Sequence, residues 1–230
     1  MKTRAAVLHT LDKQAPFAES KPLKIEEIEL DAPGPGEVLV KMKAAGLCHS
    51  DLSVINGVRP RPVPMALGHE ASGQIMQVGE GVSDLKVGDM VVLVFVPSCG
   101  HCMPCMEGRP ALCEPGADAN GKGTLLSGQR RLHLGSQAVN HHVGVSAFAE
   151  HAVVSRRSCV KIEQDIDPVE AALLAKKILS EMDSSIPNFE ANDLLLAESS
   201  LKALIELQIQ LSRKAASLRK GIGNPPPAFL

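Results

Sequence analysis

Residues 68–93 read GHEASGQIMQVGEGVSDLKVGDMVVL, and the texture of this stretch decides the fold. Gly68, Gly73, Gly79, Gly81 and Gly88 cut it into short pieces. It runs into Met90–Val96 (MVVLVFV), a continuous apolar run of the length expected for a buried strand. Working outward, Lys24–Leu30 sets Ile25, Ile28 and Leu30 among acids, Asp31–Gly36 is a Pro/Gly turn cluster, and Val38–Met42 is strand-like. Strand character returns at Phe148–Ser155 and Cys159–Ile162, while Pro115–Gly135, rich in Gly, Arg and small polar residues, reads as an exposed loop. Many short strands between Gly/Pro turns predict a mainly β barrel or sandwich.

Composition narrows the function. Lys+Arg total 24 against 26 Asp+Glu, so no bulk positive charge exists to hold nucleic acid or an anionic membrane. Trp and Tyr are absent and only 5 Phe remain, which excludes aromatic stacking on single strands as a main mechanism. No segment approaches the ~20 apolar residues of a transmembrane helix. The first ten residues turn polar too soon for a signal peptide, so a cytoplasmic location is expected. In that compartment six cysteines point to metal ligands or free thiols rather than disulfides.

Past Asp167 the pattern changes. Asp167-Pro168-Val169-Glu170 has a capping Asp, a Pro at the first helical position and a Glu three residues after the cap. No strand-like run follows Leu174. Over Asn192–Gly221, Leu194, Ala197, Leu201, Leu204, Leu207 and Leu211 recur at steps of three and four, which predicts a helical tail over 175–230. Such a stripe packs back on the adjacent domain or self-associates as a short coiled coil.

Cys99-Gly-His-Cys102-Met-Pro-Cys105, with Cys113 further on, gives C-x2-C-x2-C-x7-C. Two-residue spacers let one tight loop present successive sulfurs to one ion, and four thiolates close the tetrahedral shell of a structural zinc. In a small lobe (95–115) metal binding supplies folding free energy. The bacterial iron–sulfur run begins alike, but its fourth Cys follows after three residues rather than seven. His101 lies inside this lobe and reads as a solvent-facing loop residue.

A second constellation pairs Cys48, within Gly46-Leu-Cys-His-Ser-Asp51, with His69. One Cys and one His 21 residues apart are ordinary as packed core residues, yet Asp51 and Glu70 add the carboxylates that orient metal-bound imidazoles. On the residues alone, a metal site and a packed pair remain open alternatives.

Three stretches together, KAAGLCHSDLSVINGV (43–58), residues 68–93 and PSCGHCMPCMEGRPALCEPG (97–116), resemble the zinc-dependent alcohol dehydrogenases of the medium-chain family. The resemblance spans 1–174 and implies a GroES-like, partly open β-barrel catalytic domain. It implies a structural zinc on Cys99, Cys102, Cys105 and Cys113 and a catalytic zinc on Cys48 and His69. Ser50 resembles the hydroxyl that bonds the substrate alcohol, and Glu70 the carboxylate beside the metal. His49 resembles a residue that approaches the cofactor pyrophosphate. Asp51 resembles the carboxylate behind the ligating His, and Phe95 a wall of the substrate pocket. Where some relatives carry a relay His, this chain has Ser53, which implies a water-assisted proton exit. The implied reaction moves hydride between a small alcohol or aldehyde and NAD or NADP.

The chain departs from that pattern twice. The family's third zinc ligand is a Cys after the helix that begins at Pro168, and here that place reads Leu174-Ala-Lys-Lys177. A dinucleotide domain needs two βαβαβ halves, well over ~100 residues, and no G-x-G-x-x-G follows a strand. The expectation is therefore a truncated, impaired dehydrogenase without a Rossmann domain, its nucleotide domain absent or on a separate chain. The alternative is a non-catalytic zinc-binding remnant or helix-mediated interaction module. A nucleic-acid-binding zinc ribbon lacks its electrostatic footprint, with only Arg109, Lys122, Arg130 and Arg131 around the lobe.

Overall fold

The computed structural model describes residues 1–11, 15–162 and 166–172. Helices and strands follow in the order β1 (Lys2–Leu8), α1 (Phe17–Ser20), β2 (Leu23–Leu30), β3 (Glu37–Gly46), α2 (His49–Ile55), β4 (Met65–Ala66), β5 (Glu70–Val78) and β6 (Met90–Leu93). Then come α3 (Met103–Met106), α4 (Glu114–Lys122), β7 (Leu132–Leu134), β8 (Gln137–His141), β9 (His151–Ser155) and β10 (Cys159–Ile162). Strands β1-β2-β7-β8-β4 close into a ring, and β10-β6-β5-β3-β9 form a second, five-stranded sheet. The mainly β, GroES-like architecture stands, with the closed part and the open part divided between two sheets.

Side-chain alternation explains how they pack. Along β3, Val38 and Val40 join the core of the second sheet, while Leu39 between them joins the core of the ring. Along β9, Ala152 and Val154 face the first of these cores and Val153 the other. Both faces are buried over Val38–Val40 and Ala152–Val154, which is why these stretches read as unbroken apolar runs rather than alternating ones.

Two sequence expectations need correction. The run Met90–Val96 is not one strand: β6 stops at Leu93. Val94 N–H then donates to Ser158 O at 2.7 Å, and Val96, at φ 55°, donates to Val143 O at 3.0 Å. The second half of the run leaves the sheet and carries Phe95 to the site described below. The stretch Pro115–Gly135 is not an exposed loop either. It contains α4 and β7, with Asn120, Thr124 and Leu125 buried. The buried residues of α4 are Gly116, Ala119 and Asn120, so it has no apolar stripe to betray it. A Cβ at Gly116 would come within 2.6 Å of Pro97 O, so only glycine lets α4 lie this close.

The helix start at Asp167 holds. Residues 168–172 are helical, and Asp167 Oδ1 accepts from Val169 N–H at 2.8 Å and Glu170 N–H at 3.3 Å. Ala171 packs on Val92, and Ser72 donates to Pro168 O at 2.5 Å, which ties this helix to the second sheet. The tail over 175–230, Lys176 included, lies outside the described residues.

His141 at the end of β8 is fully buried and accepts from Arg131 N–H at 3.1 Å through Nε2. Burial, with the nearby charges of Arg130, Arg131 and His133, pushes its pKa down from 6.5 to about 3. Between those values the unfolded chain binds a proton that the folded chain refuses. Stability from this group is therefore whole above 6.5 and falls as pH drops below it. Between about pH 7 and about pH 5 the native protein should lose about 2 kcal/mol more than His141→Gln. Urea unfolding of both proteins at the two pH values checks this, and equal losses contradict it.

Candidate metal centre

Two sulfur-bearing clusters stand in the described residues. In the first, the ligand atoms of Cys99, Cys102, Cys105 and Cys113 all lie within 4.8 Å of one another, and none of the four is in a disulfide. Backbone N–H groups already point at the sulfurs. Cys113 Sγ accepts from Cys99 N–H at 3.1 Å and from Gly116 N–H at 3.3 Å. Cys99 Sγ accepts from Cys102 N–H at 3.3 Å and from His101 N–H at 3.5 Å. These bonds favour thiolate. The bond from His101, set against burial, brings Cys99 down to about 6. Burial, with the thiols of Cys102 and Cys113, pushes Cys105 up to about 12. The cluster cannot ionise fully by itself, and a bound divalent cation resolves that conflict by displacing protons. Four converging sulfurs fit a tetrahedral zinc, and His101, exposed, adds no fifth donor.

The second cluster is assembled from three places. Cys48 precedes the first residue of α2 and sits at its N-cap, with its thiol 3.6 Å from Ser50 Oγ. Asp51, in the first turn, is buried and accepts from Gly68 N–H at 2.9 Å. Gly68 holds φ +90°, and a Cβ there would fall 2.4 Å from Phe148 N. A glycine is thus required where the chain turns into β5 and delivers His69 and Glu70. His69 Nδ1 stands 3.1 Å from Asp51 Oδ2, and its Nε2 stands 3.9 Å from Glu70 Oε1. Ligand atoms of Cys48, His69 and Glu70 lie within 4.8 Å of one another.

The electrostatics fit a cation. Burial opposes charge on His69, yet its bonds to Asp51 and Cys48 raise it to about 10. Burial would raise Cys48, but the bonds of His69 and Ser50 bring its thiol below the ordinary value. Without metal the proton is held on His69, and Cys48 is shifted toward its thiolate. A metal replaces that proton, with Asp51 holding the ring from its far side.

The structure brings together all the residues of the second constellation. Ser50, His69 and Phe95 line one cavity of about 220 Å³. Phe95 packs edge-on against His69 at 4.9 Å between ring centroids. His49 is exposed at the start of α2, with Nδ1 3.4 Å from Ser53 Oγ. Sequence reasoning missed His142, which packs edge-on against His69 at 5.4 Å and has Nδ1 3.2 Å from Asp51 Oδ1. It also missed Arg59, Arg61, Asn120 and Val143 in the cavity wall. The only sequence signal for His142 is the adjacent pair His141-His142, which has no ligand spacing of its own.

Cys113→Ser should remove one zinc per chain and cost about 3 kcal/mol or more, a drop of roughly 6–12 °C in unfolding temperature. Elemental mass spectrometry and thermal melts check this, and a strong chelator should reproduce the drop. An unchanged melt in chelator contradicts a structural role for the cluster.

Residues 34–164 match the family model described as the alcohol dehydrogenase GroES-like domain. The chain is 45% identical over 175 residues to the NDMA-dependent alcohol dehydrogenase of Amycolatopsis methanolica, covering 76% of this chain and 44% of that protein. Among solved structures it resembles an alcohol dehydrogenase zinc-binding domain protein from Burkholderia ambifaria, with TM-score 0.67 and 32% identity over 76% of this chain and 45% of that one. It also resembles a zinc-binding dehydrogenase from Sinorhizobium meliloti bound to NADP, with TM-score 0.53 and 26% identity over 75% and 42%. The chain spans less than half the length of these relatives. Through this domain, the chain belongs to the zinc-type medium-chain alcohol dehydrogenase family.

Proposed function

We propose that this chain forms the zinc- and alcohol-binding part of an alcohol dehydrogenase, with NAD or NADP as the hydride acceptor. The observation that carries this reading is the convergence of Cys48, His69 and Glu70 on one point beside a cavity that Ser50 and Phe95 line. Zinc supplies Lewis acidity there when bound, lowering the pKa of an alcohol.

The chain's own residues do the rest. Cys48 and His69 hold the metal, and Asp51 fixes the His69 ring by its bond to Nδ1. Glu70 supplies the third donor in place of the Cys that the family carries after the Pro168 helix. Ser50 accepts the hydrogen bond of the substrate hydroxyl and passes its own hydroxyl proton to water as it receives the substrate's. Phe95 keeps one wall of the cavity apolar and excludes water. His49, exposed at the start of α2, faces the cofactor phosphates. The four-cysteine lobe holds a second, structural zinc.

The sequence Leu174-Ala-Lys-Lys177, at the place where the family carries its third ligand Cys, favours a second reading, a zinc-binding module without turnover. Metal content separates the two. The first reading expects two zincs per chain, falling to one in Cys48→Ser and in Glu70→Ala with the four-cysteine zinc retained. One zinc in the native protein, lost only with Cys113→Ser, would favour the second. With two zincs in place, Ser50→Ala should weaken 1-butanol binding about fivefold, the worth of one hydrogen bond. Calorimetric titration checks this.

A further inference from the structure

The cavity at Ser50 and His69 has a strongly cationic wall. Arg59 and Arg61 line it, and no Asp or Glu does. Both lie in the segment that leaves α2, Arg59-Pro60-Arg61-Pro62. The proline after each arginine keeps the segment out of helix, and the fold brings both arginines to the wall of one cavity. Arg59 N–H donates to Ser53 O at 2.7 Å, which pins the segment to the helix that carries Ser50.

Three arginines of the fold have carboxylate partners, Arg4 with Glu150, Arg131 with Glu37 and Arg156 with Asp84, and Arg130 bonds Asn140 Oδ1 and Lys122 O instead. Arg59 and Arg61 have none among the described residues. The Nε of Arg61 is buried and has no hydrogen-bond partner. A buried guanidinium N–H without an acceptor is costly, and a planar carboxylate matches its fork with two parallel bonds. The volume of about 220 Å³ suits a short chain rather than a bulky ring system.

We propose that the substrate is a short alcohol or aldehyde bearing a carboxylate, with the carboxylate on Arg59 and Arg61 and the hydroxyl toward Ser50 and His69. This rests on the alcohol-binding reading above. The two guanidiniums set which alcohol is bound, and the opposite end of the molecule carries the reacting carbon.

The full zinc-loaded chain, titrated calorimetrically with 4-hydroxybutanoate, butanoate and 1-butanol, tests it. 4-Hydroxybutanoate should bind at least about tenfold more tightly than 1-butanol, as charge-assisted bonds require. The preference should shrink to about twofold or less in Arg61→Gln and fall measurably in Arg59→Gln. Arg59 is exposed, so its substitution should leave the fold intact, and thermal melts of both variants check this. Butanoate has no hydroxyl, so its arginine-dependent binding should persist in Cys48→Ser. If butanoate binds as tightly as 4-hydroxybutanoate, the alcohol site fails while the anion site stands. Equal binding of 4-hydroxybutanoate and 1-butanol, a preference untouched by both substitutions, or no binding of either carboxylate overturns the proposal.

Discussion

One buried carboxylate holds the site together. Asp51 projects from the first turn of α2 and is 3% exposed. It accepts from Gly68 N–H, bonds His69 Nδ1 and lies beside His142 Nδ1. Burial opposes its ionisation, but the hydrogen bonds and charges of His142 and His69 drive its pKa well below the usual carboxylate range. A buried charge with fewer partners would be expensive, so α2, the start of β5 and the turn after β8 are held in one arrangement. The orientation of His69 is a consequence of that arrangement.

Backbone clearance is the matching constraint. Gly68 delivers His69 only because no Cβ stands between it and Phe148. Gly116 lets α4 approach Pro97, next to the loop where Phe95 leaves the second sheet for the cavity. Cys113 serves both sides of that contact. It belongs to the four-sulfur cluster, and its Sγ caps α4 by accepting from Gly116 N–H. The sulfur lobe and the cavity wall are therefore mechanically linked, since a metal that fixes Cys113 also fixes the start of the helix that carries Asn120 to the cavity.

The cavity combines opposite electrostatics within a small space. On one side a thiolate, an imidazole and a carboxylate converge, the donor set of a divalent cation. On another, two guanidiniums stand without a counterion among the described residues. The formal charge of −2 for the whole chain conveys nothing of this, because net charge averages over surfaces that face different ways.

Much was legible in order along the chain. Short spacers made the four-cysteine cluster readable, since ligands within one loop must be near one another whatever the fold. The cap at Asp167 and the Gly-punctuated strands were readable for the same reason, being local. The GroES-like architecture and the positions of Cys48 and His69 came from long, ordered motifs. What hid was whatever depends on distant contacts. α4 buries Gly, Ala and Asn, which leave no apolar period, and MVVLVFV splits because Ser158 and Val143, far along the chain, take its backbone N–H groups. His142 packs on His69 and reaches Asp51 only once β8 has folded against α2 and β5, and Arg59 and Arg61 acquire meaning only from the cavity into which their segment folds. The sequence determined the family, the strand texture and the local metal motif, because these are written in neighbouring residues. Only tertiary structure decided which polar groups share one enclosed space, because that depends on burial and on side chains from separate segments reaching the same few ångströms.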